Sequence, residues 1–333
     1  MSLHVGFVYD GKEDYLAAGF SAADVMEFDG EDTVSGIAAG LDHLGHRVTR
    51  IGRGVELARL LAAGERWDLV FNIAEGLRGR SREAQVPALC ELFDQPYTFA
   101  DPLTCAATLD KAIAKRVVRD SGLATAPFVV VASTAEAARV TLTPPLFAKP
   151  VAEGSSKGIT GRSLVRERAE LVPVCAELRA LFDQPVLVES FLPGRELTVG
   201  ITGNGAAARV IGVMEVSFTA ASETSAYTAL NKEGYLERVS YRLLGNEPLT
   251  AAATKLALAA YHALGCRDAA RIDLRCDAGG APSFLEANPL PGLNPVRSDL
   301  PIMARLAGHT FEELLGWVVG AACLRYGLRV KVA

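Results

Sequence analysis

The stretch from Arg271 to Pro289, R-I-D-L-R-C-D-A-G-G-A-P-S-F-L-E-A-N-P, constrains this chain more than any other. Its first half alternates: Arg271, Asp273 and Arg275 fall on one face of a strand, Ile272, Leu274 and Cys276 on the other. Asp277-Ala278-Gly279-Gly280 is turn chemistry, and the run beyond it puts Phe284, Glu286 and Asn288 on one face. A turn centred on Gly279-Gly280 predicts Asp273 opposite Glu286 and Arg271 opposite Asn288. Opposed residues of a hairpin have Cβ atoms roughly 4.5–5.5 Å apart, and like charges there are destabilising. Two facing carboxylates therefore require a cation. Mg²⁺ takes oxygen ligands from a few carboxylates and leaves room for phosphates, so Asp273, Glu286 and Asn288 are candidate metal ligands. A solvated polar face is the alternative, and a one-residue bulge would change the register.

A second segment supplies what such an ion usually serves. Pro145 to Pro150 reads as a short buried strand bearing Lys149, and it runs into V-A-E-G-S-S-K-G-I from Val151 to Ile159. Glycines and serines there leave backbone N–H groups able to converge on anionic oxygens, and Lys149 and Lys157 add charge. The spacing is not that of a Walker loop. A lysine ending an apolar strand needs a partner, because an unpaired buried ammonium is costly. Joined to the hairpin, the loop points to nucleotide phosphates.

Composition narrows the class. The 333 residues carry a net charge of −5 and are half hydrophobic, which predicts a sizeable core and more than one structural unit. No basic patch suits nucleic acid, and no apolar run has the length of a membrane span. The six cysteines are scattered without C-x-x-C, as expected of core residues in a reducing cytoplasm. Strands at His4–Tyr9, Arg47–Ile51 and Trp67–Ile73 with helical patterns between them predict an open βαβ sheet. A new unit opens near Thr108 with a helix ending at Gly122, then strands at 128–132, 146–149 and 186–189. From about Arg195 strands dominate, and helices at Leu249–Leu264 and Phe311–Tyr326 close the chain.

Five motifs in order resemble the ATP-grasp superfamily and, within it, the D-alanine–D-alanine ligase family. They are T-L-D-K at Thr108, F-A-K-P-V-A-E-G-S-S-K-G at Phe147, V-L-V-E-S-F-L-P-G-R-E-L-T-V-G at Val186, R-I-D-L at Arg271 and L-E-A-N-P-L-P-G-L at Leu285. The resemblance runs from about Phe71 to the C-terminus and is weaker before it. It implies an α/β (α+β) ATP-grasp fold with an open parallel-sheet domain over 1–107 and two nucleotide-enclosing lobes over 108–192 and 193–333. It implies a cytoplasmic, dimeric enzyme of cell-wall (peptidoglycan) biogenesis that forms a dipeptide from small amino acids through an acyl phosphate, using ATP and Mg²⁺, or Mn²⁺.

By the same resemblance Lys111 and Lys149 contact ATP phosphates, with Ser156 and Gly158 in the loop over them. Glu189 and Leu192 belong to the hinge that reads adenine, and Glu196 holds the ribose hydroxyls. Asp273, Glu286 and Asn288 match the family's metal ligands, Arg271 its oxyanion arginine, and Ser155 the serine that positions the first amino acid. The family's N-terminal glutamate, which takes that substrate's ammonium group, has its candidate in Glu31 of E-D-T-V-S. An ordinary helix-start carboxylate is the other reading of Glu31.

The chain also departs from the family. The stretch after Tyr9 is long and unfamiliar, Glu75 stands where the family usually has histidine beside the second amino acid, and the lid segment offers only Tyr227 and Lys232 as substitutes. Ser298 in R-S-D-L-P, with one extra residue before it, is the candidate donor to the second substrate's carboxylate. These departures keep two alternatives open: a ligase for other amino or hydroxy acids in specialised metabolism, and a nucleotide-binding regulator without turnover.

Overall fold

A computed structural model describes residues 2–22, 24–26, 28–154, 157–218 and 239–328. The chain forms three sheets in sequence order. The first joins β1 (His4–Val8), β2 (Arg47–Gly52) and β3 (Leu69–Asn72) in the order β2-β1-β3, both pairs parallel. Its helices are the short α1 (Lys12–Ala17), α2 (Glu31–His43) and α3 (Gly54–Ala62), then α4 (Gln85–Leu92) and α5 (Pro102–Leu109). This is the predicted open βαβ arrangement.

The second sheet holds β4 (Phe128–Val131), β5 (Leu146–Pro150), β6 (Leu164–Val165) and β7 (Val186–Ser190) in the order β4-β7-β5-β6. Helices α6 (Lys111–Asp120), α7 (Thr134–Ala138) and α8 (Arg168–Phe182) accompany it. The third comprises β8 (Glu196–Thr202), β9 (Arg209–Phe218), β10 (Val239–Leu243), β11 (Ala269–Cys276) and β12 (Pro282–Asn288), ordered β10-β9-β8-β11-β12 and antiparallel throughout. Around it lie α9 (Pro248–Ala263), α10 (Asp299–Leu306) and α11 (Phe311–Tyr326). No helix among the described residues is long and apolar enough to cross a membrane.

The hydrophobic cores do not stop where the sheets do. Ala114 and Val118 of α6 pack with Val199, Ile272, Leu274 and Phe284 of the third sheet, so the helix that opens the middle region is seated on the last one. Leu314, Leu315 and Val318 of α11 pack with Val5 and Phe7 of β1 and with Ile37 and Leu41 of α2. Burial of each such side chain is worth about 1.5–3 kcal/mol, enough to hold the three sheets together around a shared cleft.

The hairpin shows the predicted opposed pairs by a route the sequence did not show. Arg271 pairs with Asn288 and Asp273 with Glu286, but Leu274 pairs with Phe284. The turn closes between Asp277 and Ala281, which centres it one half-step earlier than Gly279-Gly280, and a bulge at Leu285 restores the register. The bulge also changes the facing. Phe284 and Ala287 enter the core while Glu286 and Asn288 stay at the surface of the cleft, so Phe284 does not share their face as expected.

Candidate active site

The hairpin face carries its own cations. Arg271 Nε and Nη2 donate to the Asp273 carboxylate at 3.0 and 2.9 Å. Thr198 Oγ1 and Asn288 Nδ2 donate to the same group at 2.8 and 3.0 Å. Arg271 Nη1 lies 3.0 Å from Asp299 at the start of α10. Opposite, Lys111 Nζ lies 3.4 Å from Glu286 and also donates to the Glu153 carbonyl. Burial alone would raise Glu286, but Lys111, Lys149 and Arg271 outweigh it and hold the carboxyl down to about 2. The facing carboxylates therefore do not require a bound ion, contrary to expectation: Arg271 and Lys111 already balance them. The donor set for an ion nonetheless remains.

Lys111 is placed by its helix. It is the first residue of α6, whose N-cap Asp110 accepts from the N–H groups of Ala112 and Ile113. One turn later on the same face lies Lys115, which is not among the residues expected from the sequence. Lys115 is fully buried, 2.7 Å from Glu189, and Lys149 of β5 reaches the other oxygen of Glu189 at 3.0 Å. The K-A-I-A-K spacing was the available signal for it. Against the burial that would raise it, the two lysines hold Glu189 down to about 2. The Glu189 side chain is thus committed to the two lysines, and its backbone lies between β4 and β5 inside the sheet.

The nucleotide candidates lie nearby. Glu196 opens β8 opposite Arg275 of β11, 3.0 Å from its Nη1, and the Arg275 guanidinium covers the Phe191 ring at 5.0 Å. Burial pushes Glu196 up to about 7, with Arg275 acting against it. Leu192 is half-buried in the link between β7 and β8. Gly158 has φ 79°, and a Cβ there would meet Pro150 Cγ at 2.6 Å and Phe182 Cε2 at 2.8 Å, so packing alone demands glycine. Ser155, Ser156, Tyr227 and Lys232 lie outside the described residues.

On the other side of the cleft the outcome is mixed. Glu31 does not face it: its carboxylate is exposed, 2.7 Å from Arg50 and bonded to Ser35 on its own helix. The first turn of α2 points that side chain outward. The residue two before it, Asp29, lines the cleft instead, and burial pushes it up to about 6 against a Thr33 hydrogen bond and Arg297. No sequence pattern flagged Asp29, because the unfamiliar stretch after Tyr9 offered no frame. That stretch folds as α1 and a cluster of Tyr15, Val25 and Phe28, tied down where Asp10 accepts from Tyr15 Oη at 2.7 Å and from the Gly76 N–H at 2.7 Å. The Gly76 bond fixes the backbone beside Glu75, which lines the cleft.

Ser298 is the N-cap of α10, and its Oγ accepts from the Asn294 N–H at 3.0 Å. Asn294 Nδ2 in turn donates to Asp32 and Thr33, so this loop is fastened to the start of α2. The result is one cavity of about 550 Å³. Lys111, Arg271, Glu286 and Asn288 line it from the hairpin side, Asp29, Glu75 and Ser298 from the other.

Comparison with known proteins bears on the family and the fold. The family model described as D-ala D-ala ligase C-terminus matches residues 117–319. A D-alanine–D-alanine ligase of Cereibacter sphaeroides is 36% identical over 292 residues, 86% of this chain and 89% of that protein. One from Methylobacterium radiotolerans is 34% identical over 334 residues, 97% of this chain and 99% of its own length. The fold is similar to the crystal structure of the Bacillus anthracis D-alanine–D-alanine ligase complexed with ATP, with a TM-score of 0.71 at 22% identity and 98% coverage of both chains. With the match spanning most of the hairpin-bearing half and the relatives aligning nearly end to end, this chain belongs to the D-alanine–D-alanine ligase family.

Proposed function

We propose that the protein is an ATP-dependent, ADP-forming ligase that joins two small amino acids, D-alanine first among them, into a dipeptide. One observation carries the reading: a single cavity brings a phosphate- and metal-type face, Lys111, Glu286 and Asn288, against Arg271 and a separate set of substrate-type groups. A pure nucleotide-binding regulator has no use for an arginine lining that junction.

The chemistry follows from the placement. A carboxylate oxygen of the first amino acid attacks the γ-phosphorus of ATP, and ADP leaves an acyl phosphate behind. The amine of the second then attacks the acyl carbon, and inorganic phosphate departs. Arg271, forked between Asp273 and Asp299, has its remaining N–H groups for the oxyanion that forms. Lys111 offsets phosphate charge, and Glu75 is the carboxylate at hand to attract the second ammonium group or accept its proton. Asp29 replaces Glu31 as our candidate for the first substrate's ammonium group. Asp273, Glu286 and Asn288 offer only oxygen to an ion, since Asn288 Nδ2 is engaged with Asp273 and leaves Oδ1. Such a set fits Mg²⁺ or Mn²⁺, which when bound offsets the charge on the phosphates. The family resemblance supports a homodimer, which light scattering can test.

ADP release with Mg²⁺ and ATP, measured over D- and L-amino acids singly and in pairs, tests the reading. We expect the D-alanine pair to be fastest and D-lactate a poor acceptor; ADP release indifferent to amino acids would overturn it. Asp29→Asn should raise the first-substrate KM about ten-fold or more, the usual worth of a hydrogen bond to a charged group. An unchanged KM would remove Asp29 from that role.

A further inference from the structure

Arg271 is held by two carboxylates from distant parts of the chain. One, Asp273, is its neighbour on β11; the other, Asp299, is the first residue of α10 and only 3% exposed. A buried acid costs stability unless it is paired, so its presence needs a reason. As an acid in the first turn it suits the N-terminus of α10, but it is not what seats the helix. Leu300, Ile302 and Met303 of that helix are buried, and it lies so close to β8 that a Cβ on Gly200 would meet Leu300 Cδ1 at 2.6 Å and Met303 Sδ at 2.8 Å. The helix is anchored by apolar contact already.

The metal-loaded state supplies the reason, and here the argument rests on the ligase reading above. In the ion-free protein Asp273 gives its charge to Arg271. An ion held by Asp273, Glu286 and Asn288 takes that same charge, and it sets two positive charges next to the guanidinium. Unshielded like charges at such range repel strongly in a cleft of low dielectric. Asp299 stands off the hairpin face, on a different element from the three oxygen donors. Its charge stays with Arg271 whatever the ion takes.

We propose that Asp299 is a positioning residue that holds and neutralises Arg271 once the metal has claimed Asp273. Arg271 then stays aimed at the cavity, and the hairpin face binds its ion without meeting an uncompensated arginine. Asp299 touches no reacting atom and acts through Arg271.

Calorimetric titration of ADP with and without Mn²⁺ tests this on wild type, Asp299→Asn, Arg271→Met and the double variant, with thermal melts beside each. In Asp299→Asn the metal-free ADP affinity should hold within about three-fold. The gain in affinity that Mn²⁺ confers should shrink about 10- to 100-fold, the ordinary size of a coupling between sites. Equal losses with and without the metal would make Asp299 merely structural and sink the proposal. If Asp299→Asn does not fold, the pair in which both charges are gone decides: a metal-dependent gain within about three-fold of Arg271→Met supports action through Arg271, and a larger fall refutes it. A wild-type protein that gains nothing from Mn²⁺ would bring down the metal-dependent ligase reading as well, whereas a wild-type gain kept intact in Asp299→Asn overturns this inference alone.

Discussion

Two buried charge clusters sit side by side in this protein and are built on opposite terms. In Lys115–Glu189–Lys149 each oxygen of the carboxylate meets one ammonium group, and all three side chains are withdrawn from solvent. In Arg271–Asp273–Glu286–Asn288, with Lys111 beside Glu286, each carboxylate meets a cation too, yet three of the four residues line a cavity. The closed cluster ties α6, β5 and β7 to one another. The open one keeps donors and acceptors facing a space where something else must fit. Burial and charge are common to both clusters; the cavity beside the second is what sets them apart.

The sharpest way to break this contrast is on the closed side. Glu189→Gln strands two buried lysines, and we expect a loss of about 3–5 kcal/mol in urea unfolding. Glu286→Gln should cost the ion-free protein less, since Lys111 can turn to the open cavity, while turnover vanishes. Equal stability losses in the two variants would erase the distinction.

On the open side, Arg271→Lys should cut ligation about 10²–10³-fold, because a point charge cannot replace a planar fork of donors. Nucleotide affinity should hold within about three-fold. A matching loss of affinity would make Arg271 a phosphate-binding or structural residue.

Acid titration compares the clusters more gently. Glu189 and Glu286 are both held down to about 2, so each contributes stability that is fully present above the ordinary carboxylate value near 4.5 and lost as pH falls towards 2. Urea midpoints at pH 5, 4 and 3 should therefore fall in wild type. Glu189→Gln should fall less steeply, by about one proton's worth of slope. An unchanged slope would mean that Glu189 titrates normally.

The smallest effect expected is none. Glu31→Gln should leave the first-substrate KM within about two-fold, in contrast to Asp29→Asn. A ten-fold rise would return the ammonium group to Glu31.

How much was legible beforehand followed the local physics. Period-two alternation and a Gly-Gly turn placed Arg271, Asp273, Glu286 and Asn288 on one surface, because strand facing is a property of neighbouring residues. The bulge at Leu285 was not legible, since nothing local distinguishes an extra residue from a longer turn. Lys115 was within reach through its helical spacing from Lys111, but its partner Glu189 comes from a strand 74 positions away. Asp29 and Glu31 show the limit. Both are acids at the start of one helix, and which of them faces the cavity depends on how α1 and Phe28 pack, a tertiary fact with no sequence period.

The union of α11 with the first sheet bears on how such a chain is made. Synthesis delivers Val5, Phe7, Ile37 and Leu41 well before Leu314, Leu315 and Val318, which cover them. Domains commonly complete themselves in order of translation, N-terminal first. Here the first sheet must wait for α11, so its apolar face stays open while all the residues between them are made. Protease pulses on nascent chains stalled before Thr310 should find that part digestible, and chains released after Tyr326 should find it closed.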